Sequence, residues 1–183
     1  MKALRILYEQ LGVENYYRQY AAQYINPHLA QIQELLLANE GNLDYSSLLD
    51  LCAGGGEVSA IVQSLGYTNT TATDPFTHQL YQKNIGNQCQ KLSFDDIIRG
   101  KLEGKFSTVV CSFAMHLCPT QQLYPLLLQL FTLSPVLVII SPHKRPILDV
   151  YEGVQCVLED YSFTKKGKKV FLKAYNYAYI KHQ

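Results

Sequence analysis

Past residue 40 the hydrophobic positions of this chain fall into short continuous runs separated by amphipathic stretches. Leu48, Leu49 and Leu51 make a brief buried strand, and Val58, Ile61, Val62 and Leu65 then recur at helical spacing up to a stop at Gly66. Thr70 to Asp74 reads as a second strand, with a helix expected from Pro75, and Cys89 to Phe94 as a third, short strand. Phe106 to Ser112 is a β-branched run of the kind buried on both faces of a parallel sheet. Leu123, Leu126, Leu127 and Leu130 give another helix, and Val136 to Ser141 is the most apolar strand of all. Alternation then takes over: Val154 to Phe163 and Val170 to Ile180 flank the turn Lys165-Lys166-Gly167-Lys168-Lys169, a long hairpin. About a dozen residues join the fifth strand to this hairpin, too few for a helix of ordinary length. Upstream, residues 3–38 read as helix in two pieces broken near Asn26-Pro27. The first has Tyr16, Tyr20 and Tyr24 on one face, and the second has Leu29, Ile32, Leu35 and Leu36. Strands alternating with helices define an α/β domain.

A chain of 183 residues supports one domain with a substantial core, so 1–183 is expected to be a single unit: a helical segment over 1–40 and a core over 41–183. Its 48% apolar and 17% charged residues suit a soluble globular protein, and a formal net charge of +1 gives no bulk attraction to nucleic acid or membrane. The five cysteines (Cys52, Cys89, Cys111, Cys118, Cys156) have no CxxC pairing and mostly sit in apolar runs. Reduced thiols in a cytoplasmic setting are expected, not a disulfide framework or a metal site. No signal-peptide profile, membrane span, internal repeat or low-complexity segment is legible.

The chemistry gathers after the first strand, in Asp50-Leu51-Cys52-Ala53-Gly54-Gly55-Gly56-Glu57. A strand that enters a helix through three glycines leaves backbone N–H groups and a bare main chain facing a ligand. Dinucleotide spacing would need Gly at 52 and 57, where Cys52 and Glu57 stand, and the Gly-Lys-Ser/Thr ending of a phosphate loop is absent. Asp50 ends the strand, placed to meet an ammonium group or to orient the loop. Asp74, 18 positions past Gly56, is placed either to accept the hydroxyls of an adenosine ribose or to cap the following helix.

This loop resembles the Asp/Glu-x-Gly-x-Gly-x-Gly signature of class I S-adenosylmethionine-dependent methyltransferases, with Cys52 in place of the first Gly. The resemblance runs from about residue 40 to the end. It implies a doubly wound, seven-stranded, mostly parallel Rossmann-like sheet closed by an antiparallel C-terminal hairpin, with S-adenosylmethionine as cofactor and S-adenosylhomocysteine as product. By it, Asp50, Cys52, Ala53, Gly54, Gly55 and Gly56 hold the methionine part, Asp74 and Pro75 the ribose side, and Asp96 and Ile97 the adenine, with Asp95 as competitor for the acid. Ser112 and the ending Phe113-Ala114-Met115-His116-Leu117 face the methyl group.

Acceptor-side candidates are Tyr16 and Tyr20, as a lid or else as a face packed on the sheet, and His116. The cationic turn Pro142-His143-Lys144-Arg145-Pro146 sits beyond the carboxyl end of the fifth strand, where doubly wound sheets meet ligands. His116 and His143 are the candidate general bases, and Lys144 and Arg145 candidate substrate contacts. The hairpin lysines read as a solvated tip that can also touch phosphate. The expected activity is methyl transfer to a small-molecule acceptor. RNA is the alternative acceptor, and a non-catalytic cofactor-binding subunit or another nucleotide-binding α/β enzyme are the rival readings.

Overall fold

A computed structural model of the chain describes residues 12, 15, 26–142 and 145–178. Apart from residues 12 and 15, the first N-terminal helical piece, with Tyr16 and Tyr20, lies outside the described residues, as do His143 and Lys144. Elements are numbered within the described part.

After the turn at Pro27-His28, α1 (Leu29–Ala38) leads to β1 (Leu48–Leu51), α2 (Glu57–Ser64), β2 (Thr70–Thr73), α3 (His78–Ile85) and β3 (Cys89–Gln90). Then come α4 (Phe94–Ile98), β4 (Thr108–Ser112), a 3-10 turn at Met115–Leu117, α5 (Thr120–Leu133), β5 (Val136–Ser141) and the hairpin of β6 (Val154–Phe163) and β7 (Lys169–Tyr177). The seven strands form one sheet in the order β3-β2-β1-β4-β5-β7-β6. The first five run parallel, and β7 enters antiparallel between β5 and β6. Strand order reverses at β1, between β2 and β4, so the carboxyl ends of those strands open on the crevice where such sheets bind ligands.

The central strands β1, β4 and β5 are buried on both faces, and alternation along each one sorts its side chains. Leu49, Val109, Leu137 and Ile139 pack with Leu126, Leu127 and Leu130 of α5 on one face. Leu48, Val110, Val138 and Ile140 pack on the other with Ile32, Leu35 and Leu36 of α1 and with Val58, Ile61 and Val62 of α2. Each such leucine or valine withdrawn from water contributes about 1.5–3 kcal/mol.

Three elements differ from their sequence expectation. The third strand stops at Gln90, because Ser93 caps a helix: its hydroxyl accepts the Asp96 N–H while the Asp96 carboxylate accepts the Ser93 N–H, a capping box. The helix expected from Pro75 begins at His78, because the Asp74 carboxylate binds the N–H groups of Phe76 and Thr77 in a tight turn first. The second hairpin strand ends at Tyr177, with Ala178 already outside it and residues 179–183 outside the described residues. Between β5 and β6 no helix occurs among the described residues, as the short connection requires. No described helix is long and apolar enough to cross a membrane.

Candidate cofactor site

A cavity of about 290 Å³ lies beyond the carboxyl ends of β1, β2 and β4. A second hollow, of about 470 Å³, lies near Lys105 and Pro135 at the opposite, amino end of β5. In a doubly wound sheet only the first position has strand ends and loop N–H groups converging on it.

The glycine loop forms its floor. Cys52 has φ 56 and Gly54 φ 60, both in the left-handed region. At Gly54 that conformation is free of a Cβ penalty, whereas at Cys52 it costs about 1–2 kcal/mol. Here lies the physical reason for a glycine at the first position of the signature, and the Ala53 N–H to Thr73 carbonyl bond (3.0 Å) is one of the contacts that hold Cys52 in place regardless. Cys52 and Gly54 face the cavity. The neighbouring Cys111 thiol and burial push the Cys52 thiol above its ordinary pKa, so it stands in the wall as a neutral thiol. Gly56 does something else. At φ 91, a Cβ there would overlap the Ile85 side chain and press on Tyr81, so its bareness lets α3 pack against the loop.

Behind the loop, Asp50 is fully buried, and one of its oxygens accepts from the Ser59 N–H (3.0 Å) and hydroxyl (2.7 Å). Tyr81 in turn donates to the Ser59 hydroxyl (2.9 Å). Burial pushes the Asp50 carboxyl up to about 8, so at neutral pH it is chiefly a neutral acid that pins α2 to β1. Glu57 folds back so that Oε2 accepts the Gly55 N–H (3.1 Å), and Asn84 donates to the Gly55 carbonyl (2.9 Å).

Asp74 joins loop and sheet. Its Oδ1 accepts from Phe76 N–H (2.8 Å) and Thr77 N–H (2.6 Å), and its Oδ2 accepts from Gly54 N–H (3.1 Å). The carboxylate is buried against protein yet faces the cavity. Pro75 and Phe76 continue that wall.

Next to it, past the end of β3, stand Ser93, Phe94 and Asp95. Asp96 is not among the lining residues: Ser93 and Lys101 (2.6 Å) occupy it, and Lys101 first, then Ser93, holds its carboxyl below the usual carboxylate range. Ile97 is wholly buried in the core. The Ser93-x-x-Asp96 spacing is itself a capping-box signature, which could have singled out Asp96 as the cap and left Phe94 and Asp95 to face the cavity.

Ser112, Phe113, Ala114, Leu117 and Gln122 close the remaining side. Phe113 also has a left-handed backbone (φ 57), and the His28 ring stacks on it at 4.8 Å, nearly parallel. That contact brings the start of α1 to the rim, and no spacing rule in the sequence indicates it. His116 is exposed on the 3-10 turn beside Leu117 and does not line the cavity, and Arg145 is exposed and does not line it either. Of the expected cofactor set, Cys52, Gly54, Asp74, Pro75 and Ser112 meet in the wall, with Ala53, Gly55 and Gly56 in the loop behind.

No family model matches the chain. An uncharacterized protein of Schizosaccharomyces pombe is 29% identical over 182 aligned positions, which cover 75% of this chain and 74% of the relative. Among solved structures, the chain resembles magnesium protoporphyrin IX methyltransferase from Synechocystis with bound S-adenosylmethionine: TM-score 0.62, 17% identity, 96% of this chain and 99% of that one. It also resembles the N-methyltransferase NodS from Bradyrhizobium japonicum in complex with S-adenosylhomocysteine: TM-score 0.62, 13% identity, 94% and 97%. The chain therefore has the class I methyltransferase fold.

Two outcomes are expected. Gly56→Ala, which adds a Cβ in a left-handed conformation against Ile85, lowers unfolding free energy by about 2–4 kcal/mol in urea denaturation. For Asp50, the folded carboxyl titrates near 8 and the unfolded one near 3.8. Its contribution to stability is therefore complete below the lower value and declines as pH rises towards the upper one. Asp50→Asn removes this titration, so the melting temperature of the natural chain should fall relative to the variant as pH is raised through that window. A constant difference would mean that Asp50 is ionised in the fold.

Proposed function

We propose that this chain is a methyltransferase that takes the activated sulfonium methyl of S-adenosylmethionine, leaves S-adenosylhomocysteine, and delivers the methyl to an acceptor at the Phe113–Gln122 side of the cavity. The observation that carries this reading is the pairing of Asp74 with Gly54 in one wall, 3.1 Å apart, at the point where strand order reverses. Gly54 offers main chain with no side chain in front of it, which suits the methionine portion. Asp74 keeps acceptor capacity on Oδ2, beyond its bond to Gly54, for a ribose hydroxyl. Phe94 and Asp95 replace Ile97 and Asp96 in the adenine role: a ring to lie against the base and a carboxylate for its amino group.

The chain's work is then positional. The nucleophile must approach in line with the bond being broken, and walls of Phe113, Ala114 and Leu117 exclude water while Gln122 supplies a polar contact. The sulfonium supplies the leaving group, so little further chemistry is asked of the protein. Where the acceptor has a proton to lose, His116 on the rim turn is the nearest described imidazole in sequence to this wall, with His143 the alternative. The cavity suits a small nucleophile, either a free small molecule or the reactive end of a larger one. The near-zero net charge of the chain favours a small-molecule acceptor over RNA.

Titration calorimetry with S-adenosylmethionine, S-adenosylhomocysteine and NAD tests the reading: the first two should bind in the micromolar range and the third should not. NAD binding alone would overturn it. Asp74→Ala should weaken S-adenosylhomocysteine binding by about 1.5–3 kcal/mol. Asp95→Ala should weaken it about tenfold, a loss of about 1.4 kcal/mol, and Asp96→Ala should leave affinity unchanged while lowering the melting temperature. The reverse order for the two aspartates would restore Asp96 to the adenine.

A further inference from the structure

The C-terminal hairpin has one face that nothing described covers. On one side of it, Val170, Leu172 and Ala174 belong to the core under α1 and α2, and Asn39 bonds Asp160 (2.9 Å). By the two-residue period of a strand, Glu159, Tyr161 and Phe163 of β6 and Lys169, Phe171 and Lys173 of β7 stand on the other side. Nearer the amino end of β5 that side is packed by α5, Leu148 and Tyr151. Towards the hairpin tip it is bare, because the β5–β6 connection contributes no described helix. Tyr161 is 46% and Phe163 54% exposed. Their rings meet edge-on at 5.4 Å, and Phe171 lies 6.4 Å from Tyr161.

Charge accompanies the rings. Lys169 Nζ sits 3.6 Å above the Tyr161 ring, and Lys165, Lys166 and Lys168 are exposed in the adjoining turn. Glu159 is held by Lys173 at 2.9 Å, so the tip keeps a local surplus of positive charge that the overall +1 conceals. Aromatic faces interleaved with lysines suit one kind of occupant, a flexible polyanion with stackable rings. A second copy of this chain suits it poorly, because a two-fold contact through the patch would set lysine tip against lysine tip.

We infer that this face binds single-stranded nucleic acid, with bases stacked on Tyr161, Phe163 and Phe171 and phosphates on the hairpin lysines. The place of the patch gives the binding a purpose. Phe171 pairs with Ser141 at the carboxyl end of β5, and Ile140 pairs with Ser112 in the cavity wall, so patch and cavity share one edge of the sheet. The three strand spacings from β4 to β6 amount to about 15 Å, the reach of two or three nucleotides. That the bound strand also presents the methyl acceptor, in place of a free small molecule, rests on the methyltransferase reading above.

The test uses the full chain and a fluorescein-labelled single-stranded RNA of about twelve nucleotides, followed by anisotropy at low and at physiological salt. Binding should weaken with salt with a log–log slope of about −3, one phosphate for each of four lysines. Tyr161→Ser and Phe163→Ser should each lower affinity about tenfold, and K165E/K166E/K168E should flatten the salt slope. S-adenosylhomocysteine calorimetry on the same preparations should be unchanged in every variant, which shows that the fold persists. A natural chain that binds S-adenosylhomocysteine but no RNA overturns the inference, as does RNA binding untouched by all three variants. Dimers that Tyr161→Ser dissolves would overturn it too, by making a second copy the occupant. RNA binding without S-adenosylhomocysteine binding would leave this surface standing and remove the methyltransferase reading instead.

Discussion

Three backbone N–H groups converge on the Asp74 carboxylate, and the site depends on that convergence. The end of β2, the turn into α3 and the glycine loop after β1 are separate pieces of chain, and this side chain ties them together. The residue that orders the cavity wall thereby also stands on it as a hydrogen-bond acceptor. Capping the turn leaves Asp74 free acceptor capacity, because a carboxylate has more lone pairs than the fold consumes.

The neighbouring acid has a different task. Asp50 has no cation beside it among the described residues, lies wholly inside, and is driven towards its neutral form, so it holds Ser59 and, through it, Tyr81. Two aspartates at the ends of adjacent strands thus take different work from their surroundings alone. Two of the glycines divide similarly: Gly54 leaves the cavity open, and Gly56 leaves room for Ile85. Identical residues in a motif need not share a reason.

An edge left uncovered links the site to the rest of the surface. Shortening the β5–β6 connection removes the cover that a helix would give to the α5 side of the hairpin, and Tyr161 and Phe163 stand in water as a result. Exposed aromatic groups of this kind ordinarily mark a contact surface. Their position on the same sheet edge as the cavity follows from the antiparallel entry of β7, which turns the hairpin tip towards the carboxyl ends of the parallel strands.

The order of strands and helices was legible in the sequence because burial on both faces writes continuous apolar runs, and the β–α alternation admits few topologies. The glycine loop and Asp74 were legible because local geometry, a left-handed turn at a strand end, demands particular residues there. That Asp95 and not Asp96 lines the cavity was within reach of a local rule, the Ser93-x-x-Asp96 cap, that competed with the family resemblance. What no local rule contains is contact between distant segments: His28 on Phe113, Ile85 on Gly56, His116 left outside the cavity wall, and aromatic rings exposed on the hairpin. Sequence by itself determined the strands, the turn and the acids that must end them. Only tertiary packing decided which side of each residue faces the cavity, because that depends on neighbours brought together by the sheet rather than by the chain.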